Sequence, residues 1–262
     1  MRSLTLSSLM AIALSLGGVG SLLPTAVWAA ELSVIQERGY LIVGVKDNLR
    51  PLGFRDAEGD LVGLEIDVAH RLAEELLGDR TAVVFYPVQN RDRLTVLLEG
   101  EVDLVIAGLT RTNSRSRIVS FSAPYYLDGT AFVTQDAAIQ TLADAGRSPI
   151  AVLNESSTIA NLRSYLPQPT LIGVDSYQEG LELLETGQAA TFAGDTSVLA
   201  GWVQTYPAYR LLPTPWSADS LSVATRRGNQ YDDLRRQINE AIASWYTDGW
   251  IQDRMNYWGL PF

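Results

Sequence analysis

The sequence contains no cysteine and a single histidine, His70, among 262 residues. Without cysteine, the chain can form neither a disulfide scaffold nor a metal site with thiolate ligands. A lone histidine also argues against a zinc centre and against a Ser-His-Asp triad. We therefore predict no metal site, no catalytic residue and no cofactor.

Basic residues are also few relative to acidic ones. The chain has 20 Lys and Arg against 30 Asp and Glu, which gives a formal net charge of −10. Nucleic-acid-binding proteins need a positive surface to meet the phosphates, so this charge argues against such a partner. About 230 residues remain after removal of an N-terminal leader, which is enough for one large or two medium domains with real cores.

The leader is the one long apolar run, residues 4–23. It follows a weakly basic start at Arg2, and Val27-Trp28-Ala29 is a candidate cleavage site. These features predict a secretory signal peptide over residues 1–30 and therefore a periplasmic protein. An uncleaved membrane anchor is the alternative, because the run is nearly long enough to span a bilayer. No cysteine follows the run, which excludes a lipoprotein anchor.

Apolar runs alternate with amphipathic segments in the first half of the mature chain. Strands are predicted at residues 40–45, 82–86 and 102–107, and helices at residues 63–77 and 91–99. The first strand is apolar throughout, as expected when both faces of a sheet are covered. This strand–helix order predicts an α/β fold with a parallel sheet and covering helices.

A second unit with the same rhythm starts after Tyr126. We assign residues 31–129 plus 223–262 to a first lobe and residues 130–222 to a second. The chain then crosses between the lobes twice, near residues 128–134 and 217–224, and two such crossing strands can act as a hinge. The C-terminal segment 231–258 is predicted to be helical and divided at Gly249.

Residues 108–126 follow the third predicted strand and carry the clearest chemistry. Thr110 lies at the tip of the strand, where unpaired backbone N–H groups attract anions. Arg115 adds a planar fork that fits a carboxylate. Lys46 and Arg93 follow the first and second strands, so all four residues can face one mouth outside the carboxyl ends of the sheet. These residues indicate a binding site for a small molecule that carries a carboxylate. The alternative is a basic loop that is exposed to solvent and binds nothing.

The pattern Thr-x-Thr-x-x-Arg-x-x-x-Val-x-Phe-Ser-x-Pro-Tyr at residues 110–125 resembles the signature of the polar amino-acid binding proteins of ABC importers, solute-binding protein family 3. Residues 63–67 and Gly194-Asp195 match further stretches, and the resemblance covers nearly all of the mature chain. It implies two Rossmann-like lobes joined by two crossing strands, the type II periplasmic binding protein fold. Such a protein is a monomer that closes over an amino acid and delivers it to a transmembrane ABC permease.

The resemblance also implies roles for particular residues. Arg115 would pair with the α-carboxylate of the ligand, helped by the backbone N–H groups of Thr110 and Ser157. Asp195, the Gly108 carbonyl and the Thr110 hydroxyl would hold the α-ammonium. A helix N-cap is the structural alternative for Asp195.

The sequence departs from the family pattern at one point in this site. Ser156 and Ser157 lie where the family has Gly-Thr-Thr or Gly-Thr-Gly, and Glu155 replaces the glycine. The departure bears directly on the backbone contacts that the resemblance implies for the two serines.

Arg93 and Lys46 match basic positions of glutamate- and aspartate-binding members. Two cations beside Arg115 would be costly to bury without a second anion, which a ligand with an acidic side chain supplies. We therefore expect an acidic amino acid, with glutamine, asparagine or another polar amino acid as the alternative.

Two hypotheses from other functional classes also remain, namely an enzyme and a sensory domain. A periplasmic enzyme resembling cyclohexadienyl or arogenate dehydratase would need a proton donor in the cleft, and His70 is remote from the predicted cleft segments. A sensory lobe is the other reading. Glu65 and Asp67 are two apart at a helix start, so we assign them to stabilising the helix dipole rather than to an acid–base pair.

Overall fold

The computed structural model describes residues 31–212 and 219–260. The predicted signal peptide, residues 1–30, lies outside these ranges. The first-half elements, in chain order, are α1 (Leu32–Arg38), β1 (Leu41–Val45), β2 (Asn48–Leu49), β3 (Gly53–Arg55), β4 (Leu61–Val62), α2 (Leu64–Leu77), β5 (Val83–Pro87), α3 (Arg93–Glu99), β6 (Leu104–Ile106) and β7 (Ser120–Asp128). The remaining elements are β8 (Thr130–Thr134), α4 (Leu142–Ala145), β9 (Ile150–Leu153), α5 (Thr158–Tyr165), β10 (Leu171–Val174), α6 (Tyr177–Glu185), β11 (Thr191–Asp195), α7 (Thr196–Thr205), β12 (Arg210–Leu211), β13 (Asp219–Thr225), α8 (Asp232–Thr247) and α9 (Trp250–Tyr257).

The first sheet has the strand order β5-β1-β6-β13-β7. Strand β1 runs parallel to both β5 and β6, whereas β13 runs antiparallel to β6 and β7. All five residues of β1 are buried, as predicted for a strand that helices cover on both faces. The larger core of this sheet packs Val43, Leu72 and Trp245 together.

The second sheet has the order β10-β9-β11-β8-β12. Strand β9 is parallel to β10 and β11, and β8 is antiparallel to β11 and β12. Two apolar clusters pack against this sheet, one around Phe192 and Trp202 and the other around Phe132 and Leu162. The predicted α/β fold with two sheets is therefore confirmed.

The two sheets are joined by neighbouring strands. Strand β7 ends at Asp128 and β8 begins at Thr130, so the chain passes from the first sheet to the second within two residues. On the return, Asp219 of β13 pairs with Asp128 of β7. Residues 219–222 were assigned to the second lobe, but they pair with the first sheet because Leu221 belongs to its core. The lobe limits otherwise stay a prediction.

A small sheet of order β2-β3-β4 lies outside the predicted strands. Its strands have two or three residues each, which is too short for a recognisable periodicity. The sheet matters for the site because it places the buried side chain of Leu49 beside Gly108.

The C-terminal helices follow the prediction. Helices α8 and α9 are separated by Gly249, whose φ is 80°. This value is in the left-handed region that favours glycine. The buried face of α8 consists of Leu234, Ile238, Ala241, Ile242 and Trp245. Within residues 31–212 and 219–260, no helix is both long and apolar enough to cross a membrane.

Candidate ligand-binding site

A small cavity of about 10 Å³ lies between the two sheets. Seven of the eight predicted site residues line it, namely Arg93, Gly108, Thr110, Arg115, Ser156, Ser157 and Asp195. Four further residues complete the lining, namely Leu49, Asn90, Leu153 and Tyr177. The volume is that of about one water molecule, so the sheets must move apart before an amino acid can enter.

Arg115 begins a short 3₁₀ turn after β6, and its guanidinium reaches both sides of the cavity. One nitrogen, Nη1, donates to the Thr110 carbonyl at 2.9 Å, and the other, Nη2, donates to the Glu155 carbonyl at 2.7 Å. Nearby, the Ser157 hydroxyl donates to the Thr110 hydroxyl at 3.1 Å. Residues from the two sheets therefore make direct hydrogen bonds across the cleft.

Arg93 opens helix α3 and is 3% exposed. Its guanidinium donates to four backbone carbonyls: Asn90 at 3.1 Å, Ala107 at 2.9 Å, Gly108 at 2.7 Å and Glu155 at 3.4 Å. Burial lowers its pKa to about 10, and the neighbouring charge of Arg115 acts in the same direction. Arg93 thus holds the backbone at the tip of β6.

Glu65 is a site residue that the sequence analysis assigned to the wrong role. It is fully buried at the start of α2, and Oε1 accepts hydrogen bonds of 2.6 Å from both the Gly108 N–H and the Tyr125 hydroxyl. Burial raises its pKa, whereas the two hydrogen bonds and the charges of Arg93 and Lys46 lower it. The apolar neighbours Leu64 and Ile66 are buried as well, so this end of the helix points into the protein.

Glu65 and Arg93 together form hydrogen bonds to the peptide units around Gly108. Glu65 accepts a hydrogen bond from the Gly108 N–H, and Arg93 donates to the carbonyls of Ala107 and Gly108. Gly108 has a φ of 58°, and a Cβ there would lie 3.1 Å from the Leu49 side chain. The glycine therefore permits the turn that leads from β6 to Thr110.

Lys46 is the predicted site residue that the structure does not bring to the cavity. It is the only lysine in the sequence, it is 6% exposed, and its Nζ donates to the Val88 carbonyl at 3.1 Å. Burial, together with the charge of Arg93, lowers its pKa to about 8. It interacts with Glu65 and Arg93 beneath the cleft rather than lining it.

Asp195 ends β11 and lies among other carboxylates. Burial raises its pKa well above the ordinary value, and the charges of Asp128 and Asp219 act in the same direction. Its side chain makes no capping hydrogen bond to α7, so the alternative of a side-chain N-cap is not what the structure contains. The carboxylate is suited to a cation.

The other two carboxylates lie where the chain crosses between the sheets. Asp128 accepts hydrogen bonds from the N–H groups of Gly129, at 2.7 Å, and Ser197, at 3.1 Å, and from the Ser197 hydroxyl. Asp219 accepts from the Asn161 amide at 3.1 Å. These bonds fix both carboxylates close to Asp195.

Glu155, the residue that departs from the family pattern, adopts the conformation of a glycine. Its φ is 56°, which is uncommon for a residue with a side chain. The Ser156 N–H donates to the Leu153 carbonyl, and the Ser156 hydroxyl accepts from the Thr158 N–H. The turn is therefore kept despite the substitution.

His70 lies on α2 and contacts the Arg80 carbonyl at 2.7 Å. His70 does not line the cavity.

Comparison with known proteins gives a consistent result. The family model of bacterial extracellular solute-binding proteins, family 3, matches residues 41–261. The chain is 30% identical over 206 residues to a glutamine-binding protein of Geobacillus stearothermophilus, covering 78% of this chain and 79% of that protein. It is 26% identical over 230 residues to the ABC transporter glutamine-binding protein GlnH of Bacillus subtilis, covering 87% and 84%. It is 27% identical over 229 residues to the glutamate-binding protein GluB of Corynebacterium glutamicum, covering 82% and 77%.

Solved structures share the whole architecture. The solute receptor for L-cysteine of Neisseria gonorrhoeae superposes with a TM-score of 0.80 at 26% identity, covering 87% of this chain and 93% of that chain. The ancestral amino-acid-binding protein AncCDT-1, a precursor of cyclohexadienyl dehydratase, gives 0.77 at 26% identity, covering 87% and 99%. The fold is the type II periplasmic binding protein fold, and the chain belongs to the bacterial extracellular solute-binding proteins of family 3, which bind amino acids for ABC transporters.

Proposed function

We propose that this protein captures a polar amino acid between its two sheets and presents it to an ABC permease. The observation that carries the proposal is that Arg115 and Asp195, from different halves of the chain, line one cavity. A guanidinium suits an α-carboxylate, and a carboxylate in need of positive charge suits an α-ammonium. Because the ligand touches both halves only when they meet, it would favour the closed state.

The charges around the cleft favour a neutral ligand side chain. The groups that interact there are three cations and at least four carboxylates, namely Lys46, Arg93 and Arg115 against Glu65, Asp128, Asp195 and Asp219. An acidic side chain would add another negative charge to this set. A carboxamide, as in glutamine, would not.

An acidic ligand is the second candidate. The reasoning that led to it assumed that Arg93 and Lys46 lack an internal anion, but Glu65 supplies one. Arg93 nevertheless lines the cavity, and the Corynebacterium relative is named a glutamate-binding protein. The binding affinities of glutamate and aspartate should therefore be compared with those of glutamine and asparagine.

Calorimetry of the purified mature protein tests the proposal. Wild type should bind glutamine, and Arg115→Ala should bind it at least 30-fold more weakly, since removing one partner of a buried charge pair costs about 2–5 kcal/mol. The control is Arg117→Ala in the same turn, an exposed residue that does not line the cavity. An Arg115→Ala affinity within about threefold of wild type would refute the role of Arg115. Mass spectrometry of gently purified protein should also reveal a co-purified amino acid.

Export, oligomeric state and lack of turnover belong to the same proposal. The predicted signal peptide would place a monomer in the periplasm, beside its permease. Asp195 is a carboxyl group with a raised pKa that lines the cavity, which makes it suited to act as a proton donor. Incubation with prephenate and arogenate should give no product, and turnover abolished by Asp195→Asn would replace the binding function with an enzymatic one.

A further inference from the structure

Tyr177 is the cavity residue to which nothing so far assigns a task. It begins helix α6 directly after β10 and lines the cavity with Asp195 and Leu153. Its hydroxyl oxygen is shielded from solvent; the Asp195 backbone N–H approaches it as a donor, but among the residues that the structure describes its own O–H has no acceptor. Leaving a buried polar group without a partner destabilises a protein, and because Tyr177 lines the cavity, a bound ligand can supply the missing acceptor.

The ring of Tyr177 is held firmly in place. It packs against the cores of both sheets, with ring centroids 5.3 Å from Phe192 and 6.3 Å from Trp202. The hydroxyl lies beside the backbone at the end of β11, since a Cβ at Gly194 would lie 3.5 Å from it, an ordinary contact distance. The hydroxyl therefore cannot turn away to find another partner without disturbing this packing.

The proposed function leaves one part of the ligand for Tyr177. Arg115 would take the α-carboxylate and Asp195 the α-ammonium, so the side chain remains. Burial and the negative charge of Asp195 raise the pKa of Tyr177 well above its ordinary value, which keeps the phenol protonated and able to donate. Leu49 and Leu153 supply apolar walls for a methylene stem.

We propose that the Tyr177 hydroxyl donates a hydrogen bond to the carbonyl oxygen of a carboxamide side chain and so selects a glutamine-type ligand. The inference rests on the proposed function and names its substrate class. A phenol could also donate to a side-chain carboxylate, but the excess of carboxylates around the cleft disfavours that ligand.

The test uses Tyr177→Phe, which removes one oxygen atom. Tyr209→Phe is a matched control, because the Tyr209 hydroxyl is also buried without an acceptor among the described residues, its ring packs against the same Trp202 at 5.9 Å, and it does not line the cavity. Binding of glutamine and of norvaline, which keeps the stem and lacks the carboxamide, is measured by calorimetry for wild type and both variants. Urea unfolding checks that each variant is folded.

Tyr177→Phe should lower glutamine affinity about 3- to 12-fold, as expected for loss of one net hydrogen bond, and leave norvaline affinity within twofold. Tyr209→Phe should change neither. An unchanged glutamine affinity, or an equal loss for both ligands, would overturn the proposal while leaving the Arg115 result intact. A wild-type preference for glutamate over glutamine would overturn the carboxamide assignment. Failure of wild type to bind any amino acid would instead overturn the proposed function, and this inference with it.

Discussion

The guanidinium of Arg115 donates a 2.7 Å hydrogen bond to the backbone carbonyl of Glu155 on the opposite side of the cleft. Arg93 donates to the same carbonyl at 3.4 Å. One neutral oxygen thus faces two cations. A carboxylate carries a negative charge that a carbonyl lacks and can accept two parallel hydrogen bonds from one guanidinium, so a ligand carboxylate should displace the carbonyl readily.

This contact uses the backbone of Glu155 and not its exposed side chain, which leads to a first prediction. Glu155→Gly should raise the free energy of unfolding by about 0.5 kcal/mol, because glycine avoids a left-handed strain of about 1–2 kcal/mol but loses more entropy on folding. Amino-acid affinity should stay within about threefold. Urea unfolding and calorimetry measure the two quantities.

Gln168→Gly is the control for Glu155→Gly, since Gln168 has a similar φ of 52° and does not line the cavity. It should give the same gain in stability and no change in affinity. A tenfold loss of affinity confined to Glu155→Gly would show that the side chain itself contributes to binding.

A second prediction concerns Asp195, whose pKa is raised above the ordinary value of 3.8 by burial and by Asp128 and Asp219. Below pH 3.8 this carboxyl is neutral in both the folded and unfolded states. As the pH rises, the unfolded state ionises first, so the folded state loses stability until the folded pKa is passed. Asp195→Asn should therefore exceed wild type in ligand-free stability by an amount that grows with pH above 3.8 and then levels off.

The same Asp195→Asn variant should bind amino acids at least 30-fold more weakly, because the ammonium loses its counterion at a cost of about 2–5 kcal/mol. Urea titrations from pH 3.5 to 8 provide the stability comparison. Asp253→Asn, at an exposed position on α9, should show no pH-dependent gain. A stability difference that shrinks with rising pH would contradict the proposed electrostatics.

The fold could be predicted because apolar runs mark the strands. The end of the third predicted strand indicated Thr110 and Arg115, and the strand order indicated Arg93. The other cavity residues that were predicted came from the resemblance to solute-binding protein family 3, namely Gly108, Ser156, Ser157 and Asp195. The role of Glu65 could not be read in this way, because a glutamate in the first turn of a helix usually stabilises the helix dipole from solvent. Only the tertiary contacts with Gly108 and Tyr125 reveal that it points inward. The position of the Lys46 side chain could not be predicted for the same reason, because its direction beneath the cleft depends on the tertiary contact with the Val88 carbonyl.

A third prediction follows from Lys46 being the only lysine in the sequence. Protein labelled with ¹³C-lysine should show one side-chain signal whose chemical shift titrates near pH 8, because burial lowers the pKa from 10.5. Titration above pH 10 would show that the amine is not buried as described. No other lysine can obscure the measurement.

Lys46→Met tests the consequence of this pKa for stability. Between pH 8 and 10.5 the lysine amine holds its proton in the unfolded state but has lost it in the folded state. The contribution of this group to the stability of wild type therefore rises with pH in that window. Lys46→Met should therefore gain most over wild type below pH 8, and the gain should shrink as pH approaches 10.5. The ratio of glutamate to glutamine affinity should change less than threefold, because Lys46 does not line the cavity.

The last prediction concerns the coupling of Glu65 and Arg93, two buried charges that hold the turn at Gly108. Arg93→Met should lower the free energy of unfolding by about 3–5 kcal/mol, because it leaves Glu65 with less positive charge around it. Glu65→Gln keeps an acceptor for the Gly108 N–H but removes the charge. The double variant should be more stable than the sum of the single effects allows, by a coupling of about 1–3 kcal/mol. Arg91→Met, whose exposed side chain lies 3.6 Å from Asp175, is the control and should cost about 1 kcal/mol or less.

Because Arg93 donates to backbone carbonyls, Arg93→Met should weaken glutamine and glutamate binding by similar factors. A ratio altered tenfold would instead restore Arg93 as the residue that selects the ligand side chain.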